Sequence, residues 1–292
     1  MHDSVSVFIT SYNHRDYLIE AVDSVLAQTR PVDQIVIVDD ASSDGSQELI
    51  RSYAIRYPGR IDYAFHATNR GVSATKSHAA SLCTGHWMTY LDGDDRMLPA
   101  RIENEIAVAI SLPKQAILFS NFQTIDPSGN ILNRWAAGDD VPTGNVLPVL
   151  LARAFPRGMV FRNELLPRHL FHEVAGYDAN INLYEDWELR IRLAAAGAAF
   201  HYCPELGSEY RLHPGGVSRQ DPRKHLAAVT HIRRKHQDLI DRLEAADRLA
   251  ATRCFDQLEQ IFASRAAHRS LRSLDLKNAV SYGLKALYRR AA

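Results

Sequence analysis

Three polar runs each follow an apolar, strand-like stretch: Thr10-Ser11-Tyr12-Asn13, Asp39-Asp40-Ala41-Ser42-Ser43-Asp44-Gly45 and Asp92-Gly93-Asp94-Asp95. The last has the most specific chemistry. Closely spaced carboxylates repel one another, and burial without compensation raises their pKa values. A hard divalent cation relieves both effects, and carboxylate together with diphosphate oxygens suits Mg²⁺ or Mn²⁺. The chain contains neither a GxxxxGK[ST] loop nor a GxGxxG turn, and no cysteine–histidine cluster at zinc spacing. A metal on the strand-end DxD is the remaining way to hold a diphosphate. Taken singly, each run also reads as helix capping, since Asp and Asn favour helix N-termini. In an open α/β sheet, however, ligands bind outside the carboxyl ends of the strands, which is where all of these runs fall.

The elements that must position them follow from periodicity. Val5 to Ile9 and the β-branched Ile35 to Val38 read as buried strands, with Ile61 to Phe65 and Trp87 to Leu91 as further strands. Between them lie helices. The first, with Asn13 as its expected cap, carries Leu18, Ala21, Val22, Val25 and Leu26 at helical spacing. The second carries Leu49, Ile50, Tyr53 and Tyr57 and stops at Pro58-Gly59, and the third spans Val72 to Leu82. Such alternation predicts a doubly wound, mostly parallel sheet flanked by helices. Further on, Arg101 to Leu112 reads as helix, Ala116 to Ser120 as strand and Asp126 to Asn130 as a hairpin turn. Asn133 to Gly144 reads as a mobile polar loop, and Trp187 to Ala196 as a helix closed by Gly197. Beyond Ser218 almost everything is helix-forming, so a boundary is expected near Pro222, with an α/β domain over 1–221 and a helical C-terminal extension over 222–292.

Val5 through Asn13, the Asp39-Asp40 pair with Ser42 and Asp44-Gly45, Asn69-Arg70-Gly71, and Leu91-Asp92-Gly93-Asp94-Asp95 with Pro99 resemble glycosyltransferase family 2. The resemblance resumes at Gly176-Tyr177-Asp178, Glu185-Asp186-Trp187-Glu188-Leu189 and Tyr210-Arg211-Leu212-His213, in the family's order and spacing. It implies the GT-A fold, with a nucleotide-binding half over about 1–100 and an acceptor half over about 101–221. It also implies inverting transfer from a nucleotide sugar, UDP-linked by family frequency, to a saccharide or lipid-linked acceptor. By position, Thr10 and Tyr12 would line the nucleobase pocket, and Asp40 would accept from the base imide with Asp39 beside it. Lys76 would lie near base and phosphates, Asp92 at the ribose or metal, and Arg211 at the phosphates. Asp94 and His213 would hold the divalent cation, and Asp186 would be the general base. Two departures stand out. Lys76-Ser77-His78 replaces the common Arg-Asn-x-Gly, and no QxxRW motif follows Asp186, which argues against a processive polysaccharide synthase.

A nucleotidyltransferase would carry a Gly-rich basic loop after the first strand, where this chain has Thr-Ser-Tyr-Asn. A non-catalytic sugar-nucleotide-binding or scaffold protein of the same fold stays open as the alternative. The 34 basic residues balance 34 acidic ones, so no global field points to nucleic acid. The three cysteines are scattered and imply no disulfide framework. No apolar run approaches the ~18 residues of a membrane span, and the default expectation is a soluble cytoplasmic protein. Leu276, Val280, Leu284 and Leu287 make one apolar stripe beside Lys277, Lys285, Arg289 and Arg290. That helix is expected either to pack on the enzyme body or a second subunit, or to lie peripherally at the inner face of the membrane.

Overall fold

The computed structural model describes residues 3–135, 141–216, 219–272 and 276–288. In the first half, β1 (Val5–Ser11), α1 (Arg15–Leu26), β2 (Gln34–Asp39), α2 (Ser46–Arg56), β3 (Ile61–Phe65), α3 (Val72–Leu82) and β4 (Trp87–Asp92) alternate as expected. The second half is built from β5 (Arg96–Met97), α4 (Arg101–Ala109), β6 (Ala116–Ile125), β7 (Ile131–Arg134), α5 (Leu147–Ala152), β8 (Leu166–Pro167), α6 (Arg168–Glu173), α7 (Glu185–Ala195) and β9 (Ala199–Arg211). Four helices close the described chain: α8 (Pro222–Lys235), α9 (Gln237–Asp241), α10 (Ala245–Arg272) and α11 (Leu276–Tyr288).

The strands form two sheets, ordered β3-β2-β1-β4-β8 and β5-β9-β6-β7. In the first, β1 to β4 are parallel and only the short β8 runs against them. Register decides where the chemistry collects. Thr10 pairs with Asp92 and Ser11 with Asp39, so the polar runs leave the same edge of the sheet side by side. The second sheet is mixed, β9 running parallel to β6 and antiparallel to β5. Because β5 follows the Asp92–Asp95 turn, its pairing with Ser208 and Glu209 draws the end of β9 toward that turn.

Several sequence expectations are corrected. Asn13 does not cap α1: it has φ 53°, and its Oδ1 accepts from Ser43 N at 2.9 Å. The Asp44 carboxylate, reaching across from the second polar run, accepts from Arg15 N at 2.9 Å instead. The Asn133 to Gly144 stretch is not one loop. Asn133 and Arg134 belong to β7, Trp135 is buried, and Gly144 bridges to Phe200. Residues 136–140 of it lie outside the described residues.

The helices beyond Pro222 do not form a body apart. Leu226, Val229 and Ile232 of α8 and Phe255 and Phe262 of α10 join the apolar cluster that holds Phe8, Met88 and Trp187. Phe255 stacks on Trp187 with ring centroids 5.4 Å apart. Burying a phenylalanine side chain is worth about 1.5–3 kcal/mol, so this contact ties α10 to α7. In α11, Ala279 is buried and Tyr282 and Ala286 pack on the same cluster, whereas Val280 is 62% exposed. The helix thus packs on its own body through a face other than the one bearing Val280. The side chains of Leu276, Lys277, Leu284 and Leu287, and residues 289–292, lie outside the described ones. Among the described residues, no helix is long and apolar enough to cross a membrane.

Candidate functional site

A cavity of about 960 Å³ opens at the carboxyl edge of the first sheet, lined by all three polar runs and by Asp186. Thr10, Tyr12, Asp40, Lys76, Asp92, Asp94 and Arg211 all reach its wall.

On one side Asp40 is held by its neighbours. Its Oδ1 accepts from Arg70 N at 2.8 Å and lies 2.7 Å from His66 Nδ1, while Oδ2 accepts from Gly71 N at 2.8 Å. His66 Nε2 lies 3.0 Å from His78 Nδ1, extending the chain of contacts outward. A carboxylate offers about four acceptor sites, so one on Oδ2 is left for a ligand. Asp39 does not join Asp40 at the cavity wall. It is fully buried and accepts from Ser42 N, Ser42 Oγ and Gln47 Nε2, shaping the turn that carries Asp40. Tyr12 stands 45% exposed at the rim, as a ring available for stacking would.

Gly71 is where backbone geometry matters most. Its φ of 87° and ψ of 166° belong to a region open to glycine alone, and an added Cβ would fall 2.6 Å from Asn182 Oδ1. Gly71→Ala should therefore displace the N–H that holds Asp40. We expect affinity for a ligand held by Asp40 to fall by about tenfold, since strain of this kind costs roughly 1–3 kcal/mol. Isothermal titration with a panel of nucleoside diphosphates checks this, and unchanged affinity would mean that the Asp40 contact is dispensable.

Lys76 is buried between two carboxylates, with Nζ 3.1 Å from Asp92 Oδ1 and 2.8 Å from Glu185 Oε1, above the Tyr90 ring. Burial works against its charge, but Asp92 and Glu185 more than offset this and keep it protonated. Asp92 also meets Arg162 at 3.0 Å.

Asp94 lies beside two imidazoles. His213 Nε2 is 2.9 Å from its Oδ2, and the His14 ring packs edge-on against His213. Ligand atoms of His14, Asp94 and His213 all fall within 4.8 Å of one another. Burial pushes the Asp94 pKa up, but the hydrogen bond from His213 and electrostatic attraction from His14 and His213 bring it below its ordinary value. Two imidazoles and a carboxylate on one centre fit a divalent transition ion. Asp95, by contrast, is turned inward to accept from Arg211 N, and burial followed by the Asp94 charge raises its pKa well above the carboxylate range.

Arg211 is only 2% exposed and acts as a brace. Its Nε donates to Asp94 O, Nη1 to Pro127 O at 2.9 Å and Nη2 to Glu20 at 2.6 Å. Its guanidinium fixes the Asp94 turn, with most of its donors committed.

Asp186, in the first turn of α7, also lines the cavity. Its Oδ1 accepts from its neighbour Trp187 N, and its Oδ2 lies 2.9 Å from Arg190 Nη1 and 3.4 Å from Tyr90 OH. Arg190 is itself locked by Glu164 at 2.6 Å. Burial raises the Asp186 pKa, but Arg190, then Lys76 and Arg162, overcome it and leave the carboxyl well below its usual range. The group is therefore ionised at neutral pH. His14, Arg190 and Glu164 escaped sequence reading. His14 directly follows the first polar run, but only the fold shows that it meets Asp94.

A parallel sheet with a nucleotide-sized cavity at its carboxyl edge, joined to a smaller mixed sheet, is the GT-A architecture. The sequence model of Glycosyl transferase family 2 matches residues 6–170, more than half of the chain, which belongs to that family. An uncharacterized glycosyltransferase of Rickettsia conorii is 30% identical over 215 residues, covering 73% of this chain and 34% of that protein. This chain thus spans about a third of the length of such relatives. The succinoglycan biosynthesis protein ExoO of Rhizobium meliloti is 27% identical over 235 residues, covering 77% of this chain and 65% of ExoO. Among solved structures, S. aureus TarS 1-349 in complex with UDP-GlcNAc superposes with a TM-score of 0.60 at 13% identity, covering 99% of this chain and 92% of that one. GalNAc-T7 with UDP, GalNAc and Mn²⁺ gives 0.62 at 17% identity, covering 80% and 48%.

Proposed function

We propose that this chain transfers a sugar from a nucleoside diphosphate sugar to an acceptor hydroxyl, with inversion at the anomeric carbon, in the assembly of a cell-surface polysaccharide. The observation that carries the reading is one cavity lined by Asp40, by His14 and Asp94 of the His14–Asp94–His213 cluster, and by an ionised Asp186. Asp40 takes the base, with Thr10 and Tyr12 around it. UDP is the favoured nucleotide, because the TarS structure of the same fold carries UDP-GlcNAc. The polysaccharide setting follows ExoO.

Asp186 accepts the proton of the acceptor hydroxyl as that oxygen bonds to the anomeric carbon, and the bond to the diphosphate oxygen breaks in the same displacement. Arg190 keeps the carboxylate aimed and ionised, and no side chain need act as a covalent nucleophile. Asp94, His213 and His14 would hold a divalent cation, which when bound neutralises charge on the departing nucleoside diphosphate.

The test is release of UDP from UDP-sugars with saccharide acceptors, with the anomeric configuration of the product read by NMR. An inverted product supports the reading. Tight nucleotide binding with no turnover across a donor and acceptor panel would favour a binding protein instead.

A further inference from the structure

Arg153 has an unusual setting. It ends α5 in the left-handed conformation, with φ 48° and ψ 34°, where a non-glycine side chain is strained. Its guanidinium lies 4.7 Å above the Trp187 ring and 5.6 Å from that of Tyr184, inside the main cavity and on the Asp186 side. Its guanidinium makes one long contact, to Gly158 O at 3.5 Å, and among the described residues it makes no ion pair. Burial lowers its pKa, and Tyr184, Cys254 and Asp186 offset this only in part. The strain costs stability, and a half-buried cation that makes no ion pair among the described residues is completed by an anionic ligand. The cation cluster at His14 and Asp94 serves the donor diphosphate, so the anion at Arg153 belongs to the other substrate.

A second cavity, of about 340 Å³, continues outward from the first. Ala227 and His231 of α8 line both, so the two share a wall. The outer cleft has Leu226 and Tyr282 for an apolar floor and Arg223, Arg234 and Lys285 around it, with no acidic residue among its described lining. Arg223 is matched by Asp221 at 2.6 Å, but among the described residues Arg234 and Lys285 have no carboxylate partner. In a chain of zero net charge, this concentration of cations where α8 meets α11 is local and oriented.

We propose that the acceptor is a phosphate-bearing molecule lying along α8, with anionic groups received by Arg153 beside Asp186 and by Arg234 and Lys285 in the outer cleft; this rests on the transferase reading above. Guanidinium pairs well with phosphate because its donors match two oxygens at once. The Tyr282 ring and Leu226 accept the apolar part of the same molecule.

The experiment measures binding, not turnover. The full chain is first titrated with UDP in Mn²⁺, then with glycerophosphate, glycerol, phosphatidylglycerol vesicles and phosphatidylcholine vesicles. Glycerophosphate or phosphatidylglycerol should bind, in a salt-sensitive way, and the uncharged or zwitterionic counterparts should not. Binding to the vesicles alone assigns the phosphate to a lipid headgroup, and binding to glycerophosphate assigns it to a soluble acceptor. In either case R153Q, and separately the surface double variant R234A/K285A, should weaken it by about ten- to a hundredfold. Loss of neither phosphate probe in the variants, or no phosphate binding by the UDP-loaded wild type, overturns the proposal. Failure of the UDP titration itself would instead strike at the donor reading.

Discussion

Replacing Asp186 by Asn is expected to reduce sugar transfer by ~10²–10⁴-fold while leaving UDP-sugar affinity nearly unchanged. The amide keeps the volume and can still face Arg190, but it cannot take the acceptor proton. Asp186 takes no part in the His14–Asp94–His213 cluster or in the contacts that hold Asp40, so donor binding has no reason to follow. The pH response provides a second check. Burial raises the Asp186 pKa, and Arg190, Lys76 and Arg162 bring it below the ordinary carboxylate value. Its charge-paired state therefore stabilises the fold above the usual carboxylate pKa of about 3.9 and is lost only as pH falls through the lower folded value. Acidification from pH 7 to 5 should leave Asp186 ionised. A D186N enzyme that binds donor and still transfers at the wild-type rate would falsify the assignment.

The second large effect is at the metal cluster. Asp94→Asn removes the only carboxylate of the His14, Asp94 and His213 group and should lower transfer by roughly a hundredfold or more. His14→Ala separates this cluster from a carboxylate pair of the usual oxygen-ligand kind. Imidazole suits transition ions, whereas Mg²⁺ prefers oxygen ligands, so wild type should bind Mn²⁺ more tightly than Mg²⁺. In H14A that preference should shrink. Mn²⁺ titration followed by EPR reads the affinity directly, and rates in each metal give the functional counterpart. Full wild-type activity in excess EDTA would remove the metal from the mechanism.

Much of the first half is legible in the sequence because its signals are local. Four consecutive β-branched residues at Ile35 to Val38 mark a strand buried on both faces, and all four are buried in β2. The apolar residues of α1 recur at helical spacing, and Leu18, Ala21, Val22 and Val25 all face the core. The polar runs stand out because each directly follows such a strand. Short or irregular pieces escape this kind of reading. β5 and β8 have two residues each, too few to show a period, and they exist only through the strands they pair with. β9 carries register shifts against β6, which break the alternation that would have announced it.

What the sequence by itself determined is the alternating parallel sheet and the identity of the carboxylates at its edge, since strand period and strand-end chemistry are written within a few neighbouring residues. The tertiary structure alone decided how those residues divide their work. Asp39 and Asp40 are adjacent in sequence, yet one is spent on its own turn while the other faces the cavity. Arg211 and His213 are two residues apart, and one braces the Asp94 turn through backbone carbonyls while the other meets the Asp94 carboxylate. His14 and Arg153 took on chemical meaning only when distant elements placed them beside Asp94 and Trp187. A side chain's role is set by which partners satisfy its charge and hydrogen bonds, and those partners lie far away in the chain.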